Sequence, residues 1–201
     1  MRPALERDEQ DCEEYRAIIA THYRPDQLVF ADESHFNRLT LRRPYAWSIR
    51  GARASRHEFS FRGMKFSILP ALALDRILHL EVVENTVTGN NFRRFVQGLL
   101  LRMNKWPLPN SVLVIDNALI HRVDGIREMV QEHGARLVYL PAYSPDFNPI
   151  ELAFSSIKAW LRANWNRINT ESESIYEALW EAVFSVTQED VRGWFKHCGY
   201  E

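Results

Sequence analysis

Apolar residues fall along the chain in short blocks of two kinds. LVFADES (28–34), SVLVIDN (111–117) and ARLVYLP (135–141) each hold an unbroken apolar run of strand length. Runs such as VLVI carry apolar residues on both sides of the backbone, as expected of strands buried on both faces. KFSILPALALD (65–75) and ILHLEVVEN (77–85) are separated by Arg76 alone and predict a hairpin turning near Asp75–Arg76, without the glycine usual in tight turns. Other stretches repeat at helical spacing. Residues 8–22 predict a short polar helix, and Thr88 or Asn90 caps a helix to about Met103 with Phe92, Phe95, Val96, Leu99 and Leu100 on its inner side. Residues 123–133 predict an amphipathic helix stopped by Gly134. Further helices are expected from Pro149 to about Trp165, over 171–186 and over 188–198.

Strands come first, then alternate with helices, then give way to helices. That order predicts an α/β fold: a mixed central sheet of about five strands flanked by helices. The 201 residues, 46% hydrophobic, are enough for one domain with its own core. No apolar run is long enough for a membrane span, and the charged N-terminus MRPALERDEQDCEEYR does not read as a secretory signal. Cys12 and Cys198 sit at opposite ends, fit no zinc spacing or disulfide framework, and read as lone thiols in a reducing compartment.

Two of the apolar runs end in a carboxylate, at Asp32 and at Asp116. Functional groups gather where the strands of open α/β sheets end, although an aspartate there also suits a turn. Glu151 has a local explanation as well. Asn148 can cap a helix, Pro149 suits its first position, and Glu151 then completes a capping box. A carboxylate fixed in a first helical turn is equally what a metal ligand requires. Three carboxylates in one place repel one another by about 4 kcal/mol per pair at ~4 Å and an effective dielectric near 20. Such a set persists by binding a cation or a proton, and an all-oxygen set suits Mg²⁺ or Mn²⁺ rather than zinc.

LVFADES, VLVIDNALIH (112–121) and YSPDFNPIE (143–151) resemble, in order, the three motif blocks of the mariner superfamily of transposases. The 34 residues between Asp116 and Glu151 match the spacing of its Asp-Asp-Glu branch, and SPDFNPIE differs from that family's SPDLNPIE at Phe147. The resemblance runs over about residues 8–200 and includes a Cys-Gly-Tyr ending (198–200). It implies a ribonuclease-H-like fold and metal-dependent cutting and joining of DNA strands. Asp32, Asp116 and Glu151 would be the catalytic residues and metal ligands, holding Mg²⁺ or Mn²⁺ as two ions, with no organic cofactor. Asn117, His121 and Asn148 would support them, while Asp146 would shape its loop. Glu33 is expected not to bind metal directly, because neighbouring strand side chains point to opposite faces.

Charge is unevenly spread. Residues 6–14 carry six acids and one arginine, while residues 38–65 carry seven arginines and one lysine against Glu58. Arginines neutralise phosphates and aromatics stack on bases, so Arg42, Arg43, Trp47, Arg50, Arg53 and Arg56 are expected to contact DNA. The resemblance places a W-S-x-x-G element here, in a loop that meets DNA or a partner subunit. Glu151, Ser155, Lys158 and Arg162 share one helical face, which puts Lys158 and Arg162 near phosphates; Ile150, Phe154, Ile157 and Leu161 share the core face. Trp106, Trp160, Trp165, Trp180 and Trp194 read as packing residues.

The resemblance also implies an organisation: an acidic connector helix over 1–25, a catalytic domain over 26–201, and no helix-turn-helix reader of transposon ends. DNA is the expected partner, a homodimer the expected assembly and the nucleus the expected location. Two other readings stand beside cleavage. One is a domesticated remnant that binds DNA or protein without cutting. The other is a metal phosphoesterase acting on small molecules.

Overall fold

The computed structural model describes residues 6–36, 48–53, 65–118, 121, 125–170 and 175–200. Strands β1 (Leu28–Ala31), β2 (Ser34–Phe36), β3 (Phe66–Ala73), β4 (Arg76–Glu84), β5 (Val112–Ile115) and β6 (Arg136–Tyr139) form one mixed sheet. β1 and β2 lie on the same side of β3 in a single register, since Val29 pairs with Ala73 and Ser34 with Ile68. They are therefore one strand interrupted at Asp32–Glu33, and the order across the sheet is β4, β3, β1/β2, β5, β6. The shared register sets Asp32 opposite Pro70, which has no N–H to donate to the ladder. β1, β5 and β6 are parallel to one another.

Helices cover both faces. α1 (Glu9–His22), α4 (Pro149–Thr170), α5 (Ile175–Phe184) and α6 (Gln188–His197) pack on one, around Phe30, Val114, Ile150, Phe154, Ile157 and Phe195. α2 (Gly89–Leu100) and α3 (Ile126–His133) pack on the other, around Val29, Leu113, Ile115, Phe92, Phe95 and Val130. Consecutive residues of β5 thus feed opposite cores, which is why that run is wholly apolar. Thr88 caps α2, accepting from the Asn91 N–H, and the five expected inner residues are buried. The hairpin β3–β4 turns at Leu74–Asp75. No helix among the described residues is long and apolar enough to cross a membrane. Cys12 and Cys198 are free and buried.

Four expectations need correction. β6 is an edge strand whose residues are half-buried or exposed, not a third strand enclosed on both faces. α3 begins only at Ile126, because Gly125 takes a left-handed backbone (φ 89°) that a helix cannot continue through. α4 runs on to Thr170, past the expected end near Trp165. Trp180 is 41% exposed and stacks on Phe184, itself 77% exposed, so it does not fill a core.

Candidate active site

Ala31 pairs with Ile115 across the parallel strands β1 and β5. The next residue on each strand is Asp32 and Asp116, so the sheet itself sets these two acids side by side at the carboxyl ends of adjacent strands. Glu151 arrives separately, on the first turn of α4. All three line one cavity of about 480 Å³, together with Asn117, Tyr143 and Asn148.

Asp32 is 8% exposed. Its Oδ2 accepts from Asn148 Nδ2 at 2.9 Å and its Oδ1 from the Glu33 N–H at 2.8 Å. Burial, with the charges of Asp116, Glu33 and Glu151 around it, pushes its carboxyl well above the ordinary aspartate range. Asp116 is more open, its side chain 42% exposed. Burial would raise it too, but hydrogen bonds from His121 Nδ1 and the Ala118 N–H outweigh burial and hold it low. Neighbouring acids with opposite shifts are a common mark of functional sites.

His121 is fully buried and lies on the ring of Phe92, with centroids 4.2 Å apart. Nδ1 donates to Asp116 and Nε2 to Glu33 Oε2, the latter at 2.9 Å. Burial works against its charge, yet those two carboxylates carry its pKa up to about 10. Both ring nitrogens therefore act as donors at neutral pH. Glu33 joins the site through His121. It takes the opposite face from Asp32, but His121 lies on that face and ties it back to Asp116. Ligand atoms of Asp32, Glu33 and His121 fall within 4.8 Å of one another. Strand alternation gave the direction of the Glu33 side chain and concealed the histidine that meets it there.

Asn148 departs from its expected part as a cap. Its amide is spent on Asp32, its N–H donates to the Pro145 carbonyl, and its buried Oδ1 has no partner among the described residues. Glu151 closes no capping box; its N–H donates to the Asn148 carbonyl at 3.1 Å, and no hydrogen bond to its carboxylate is made by the described residues. Burial, helped by the charges of Asp116 and Glu33, raises its pKa against the pull of Lys158. Asn117 Nδ2 donates to the Leu140 carbonyl at 3.0 Å, tying the end of β5 to the strand beside it. Tyr143, not singled out from the sequence, stands 59% exposed on the cavity wall with a left-handed backbone (φ 54°).

Of the expected DNA contacts, Arg50 and Arg53 are exposed. Arg42, Arg43, Trp47 and Arg56 lie outside the described residues. Lys158 lays its ammonium over the rings of Phe36 and Phe154, at 5.7 and 5.8 Å, on the helix that carries Glu151. Arg162 sits one turn further along that helix, half-buried. Asp146 holds its loop through Arg7, at 2.5 Å.

Residues 27–173 match the DDE superfamily endonuclease family, and the chain belongs to it. The fold is ribonuclease-H-like and is shared with solved structures of the Mos1 mariner transposase. The Mos1 mariner paired end complex with Mn aligns over 94% of this chain and 57% of that chain, at 16% identity and TM-score 0.64. The Mos1 catalytic domain with raltegravir and Mg aligns over 94% and 87%, at 15% identity and TM-score 0.62. The Mos1 catalytic domain alone aligns over 100% and 99%, at 14% identity and TM-score 0.56. The chain thus spans a little over half the length of the protein in the paired end complex. No curated protein matches the sequence.

Proposed function

We propose that this chain is the catalytic domain of a mariner-like transposase, which cuts and rejoins DNA strands with divalent metal held by Asp32, Asp116 and Glu151. The observation that carries the reading is the meeting of these acids, from three distant points of the chain, in one open cavity where two parallel strands end.

The donor set fits Mg²⁺ or Mn²⁺. It is all oxygen, Asp32 is strained by the carboxylates around it, and the Glu151 carboxylate accepts no hydrogen bond from the described residues. Two ions there would activate an attacking oxygen and neutralise charge on the phosphodiester. The protein's own part is to aim the acids. Asn148 orients the Asp32 carboxylate, His121 and the Ala118 N–H fix that of Asp116, and α4 delivers Glu151. Arg50, Arg53, Lys158 and Arg162 are the described residues of that expected set offered to DNA phosphates. Mos1 transposase is solved as paired end complexes, which favours a dimer on DNA for this chain too.

Two measurements test this. Supercoiled plasmid is expected to be nicked with Mn²⁺ or Mg²⁺ and not in EDTA, and Asp116→Ala is expected to be inactive. Metal-dependent nicking that survives in Asp116→Ala would refute the assignment. Metal is also expected to stabilise the fold. At a hundred times its Kd, a ligand of the native state adds about 2.7 kcal/mol, or roughly 5–10 °C in Tm for a chain of this size. Thermal melts of the wild type and of Glu151→Gln with and without Mn²⁺ check this, and equal shifts in the two proteins would remove Glu151 from the site.

A further inference from the structure

The Cys-Gly-Tyr ending lies far in sequence from every acid of the cavity, yet the fold brings it against the loop that positions two cavity residues. α6 ends at Cys198, and Gly199 turns the chain with a left-handed backbone (φ 88°). An added Cβ at Gly199 would meet nothing within 4 Å, so the glycine answers a backbone requirement and not a lack of room. The turn sends Tyr200 back into the core, 6% exposed, with its ring 5.0 Å from that of Phe30. Its hydroxyl donates to the Phe147 carbonyl at 2.6 Å. A phenol has one hydrogen to give. The 2.8 Å contact between Tyr15 and Tyr200 is therefore donated by Tyr15. The result is a directed chain: Tyr15 to Tyr200 to the Phe147 carbonyl.

Phe147 is followed by Asn148, which holds Asp32, and then by the first turn of α4, which carries Glu151. We propose that Tyr200 is a positioning residue of the active site, fixing through the Phe147 carbonyl the loop that sets Asn148 against Asp32 and aims Glu151. The inference rests on the carboxylate site proposed above. α1 and the residues just before it add a second hold on the same loop, through Cys12 to Ser144 at 3.3 Å and Arg7 to Asp146. Tyr200 differs from these in gripping the backbone immediately before Asn148.

Hydrogen exchange on the full chain in EDTA tests the idea apart from activity. Losing one backbone-directed hydrogen bond is expected to speed exchange at the Phe147, Asn148 and Glu151 amides about tenfold in Tyr200→Phe, with β1 and β5 unchanged. Tyr15→Phe keeps the grip on Phe147 and should leave those amides within about twofold of wild type. Mn²⁺ titration should then show about tenfold weaker binding in Tyr200→Phe and near wild-type binding in Tyr15→Phe. A purely structural tyrosine pair would instead move both variants together, in step with Tm. Unchanged exchange at the three amides in Tyr200→Phe, or parallel losses in the two variants, would overturn the proposal. Should Tyr200→Phe not fold, the pair Gly199→Asn and Gly199→Val decides. Asparagine accepts the left-handed backbone and valine does not, so only Gly199→Val should loosen the loop; equal behaviour overturns the proposal. If the wild type neither binds Mn²⁺ nor nicks DNA, the cleavage reading fails, while the exchange data still rule on Tyr200.

Discussion

Asp32→Asn is expected to abolish DNA nicking and, at the same time, to make the metal-free protein more stable. Loss of a ligand that stabilises charge in the transition state by about 4 kcal/mol corresponds to roughly a thousandfold in rate. The gain in stability comes from the same carboxylate. It is buried among Asp116, Glu33 and Glu151, and its pKa in the folded state is raised. A raised carboxyl binds its proton more tightly folded than unfolded. Its favourable share of stability is present below the ordinary aspartate range and is lost as pH climbs towards the raised value. Neutral pH lies above the ordinary aspartate range, so the wild type carries a penalty there that asparagine removes. The partners accept the change, because the unpaired Oδ1 of Asn148 can receive an amide hydrogen once the Asn148 amide turns over. Melts in EDTA at neutral pH should show a Tm higher by about 2–4 °C, for a gain of about 1 kcal/mol. The difference should shrink as pH is lowered. A variant that loses stability at neutral pH would contradict the electrostatic account.

His121→Ala should have the largest effect on the fold. His121 is fully buried and donates to two carboxylates. Its removal leaves Asp116 and Glu33 facing each other and opens a gap against Phe92. Taking one partner from a buried ion pair costs about 3–5 kcal/mol. Asp116 is partly solvated, so the lower end applies: about 3 kcal/mol, or roughly 6–12 °C in Tm. The pH dependence has a definite sign. The folded pKa, about 10, lies above the ordinary histidine value. The stability it gives is complete below about pH 6.5 and declines as pH rises through about 10. Urea titrations of the wild type in EDTA from pH 6 to 10 should show that decline, and His121→Ala should lack it. A flat wild-type profile would mean the histidine is not charged in the fold.

The chain reveals its strands and hides their rank. LVFA and VLVI announce buried strands because both of their faces meet a core. LVY looks similar, yet β6 forms the edge of the sheet, and no local pattern tells which of several parallel strands comes last. The acids Asp32, Asp116 and Glu151 were legible through their motif blocks, and the cavity gathers all three. Asn148 was expected to support the acids, but the cap also read there did not form, because a capping rule is local and its partner, Asp32, lies 116 residues away. Glu33 shows a related limit. Alternation fixes the face a strand residue takes, and the meeting with His121 depends on a loop that alternation does not describe. Trp180 shows the limit from the other side: helical spacing marks a face as apolar but does not show that anything covers it.

The seam between β1 and β5 has a consequence for how such a centre tolerates change. Parallel neighbours run about 4.8 Å apart wherever they occur. The separation of Asp32 from Asp116 is thus inherited from peptide geometry and needs no tailoring by nearby side chains. Sequence drift in the surrounding loops leaves that interval alone. The third acid, on its own helix, depends on contacts that mutation can erode even for the position of its backbone.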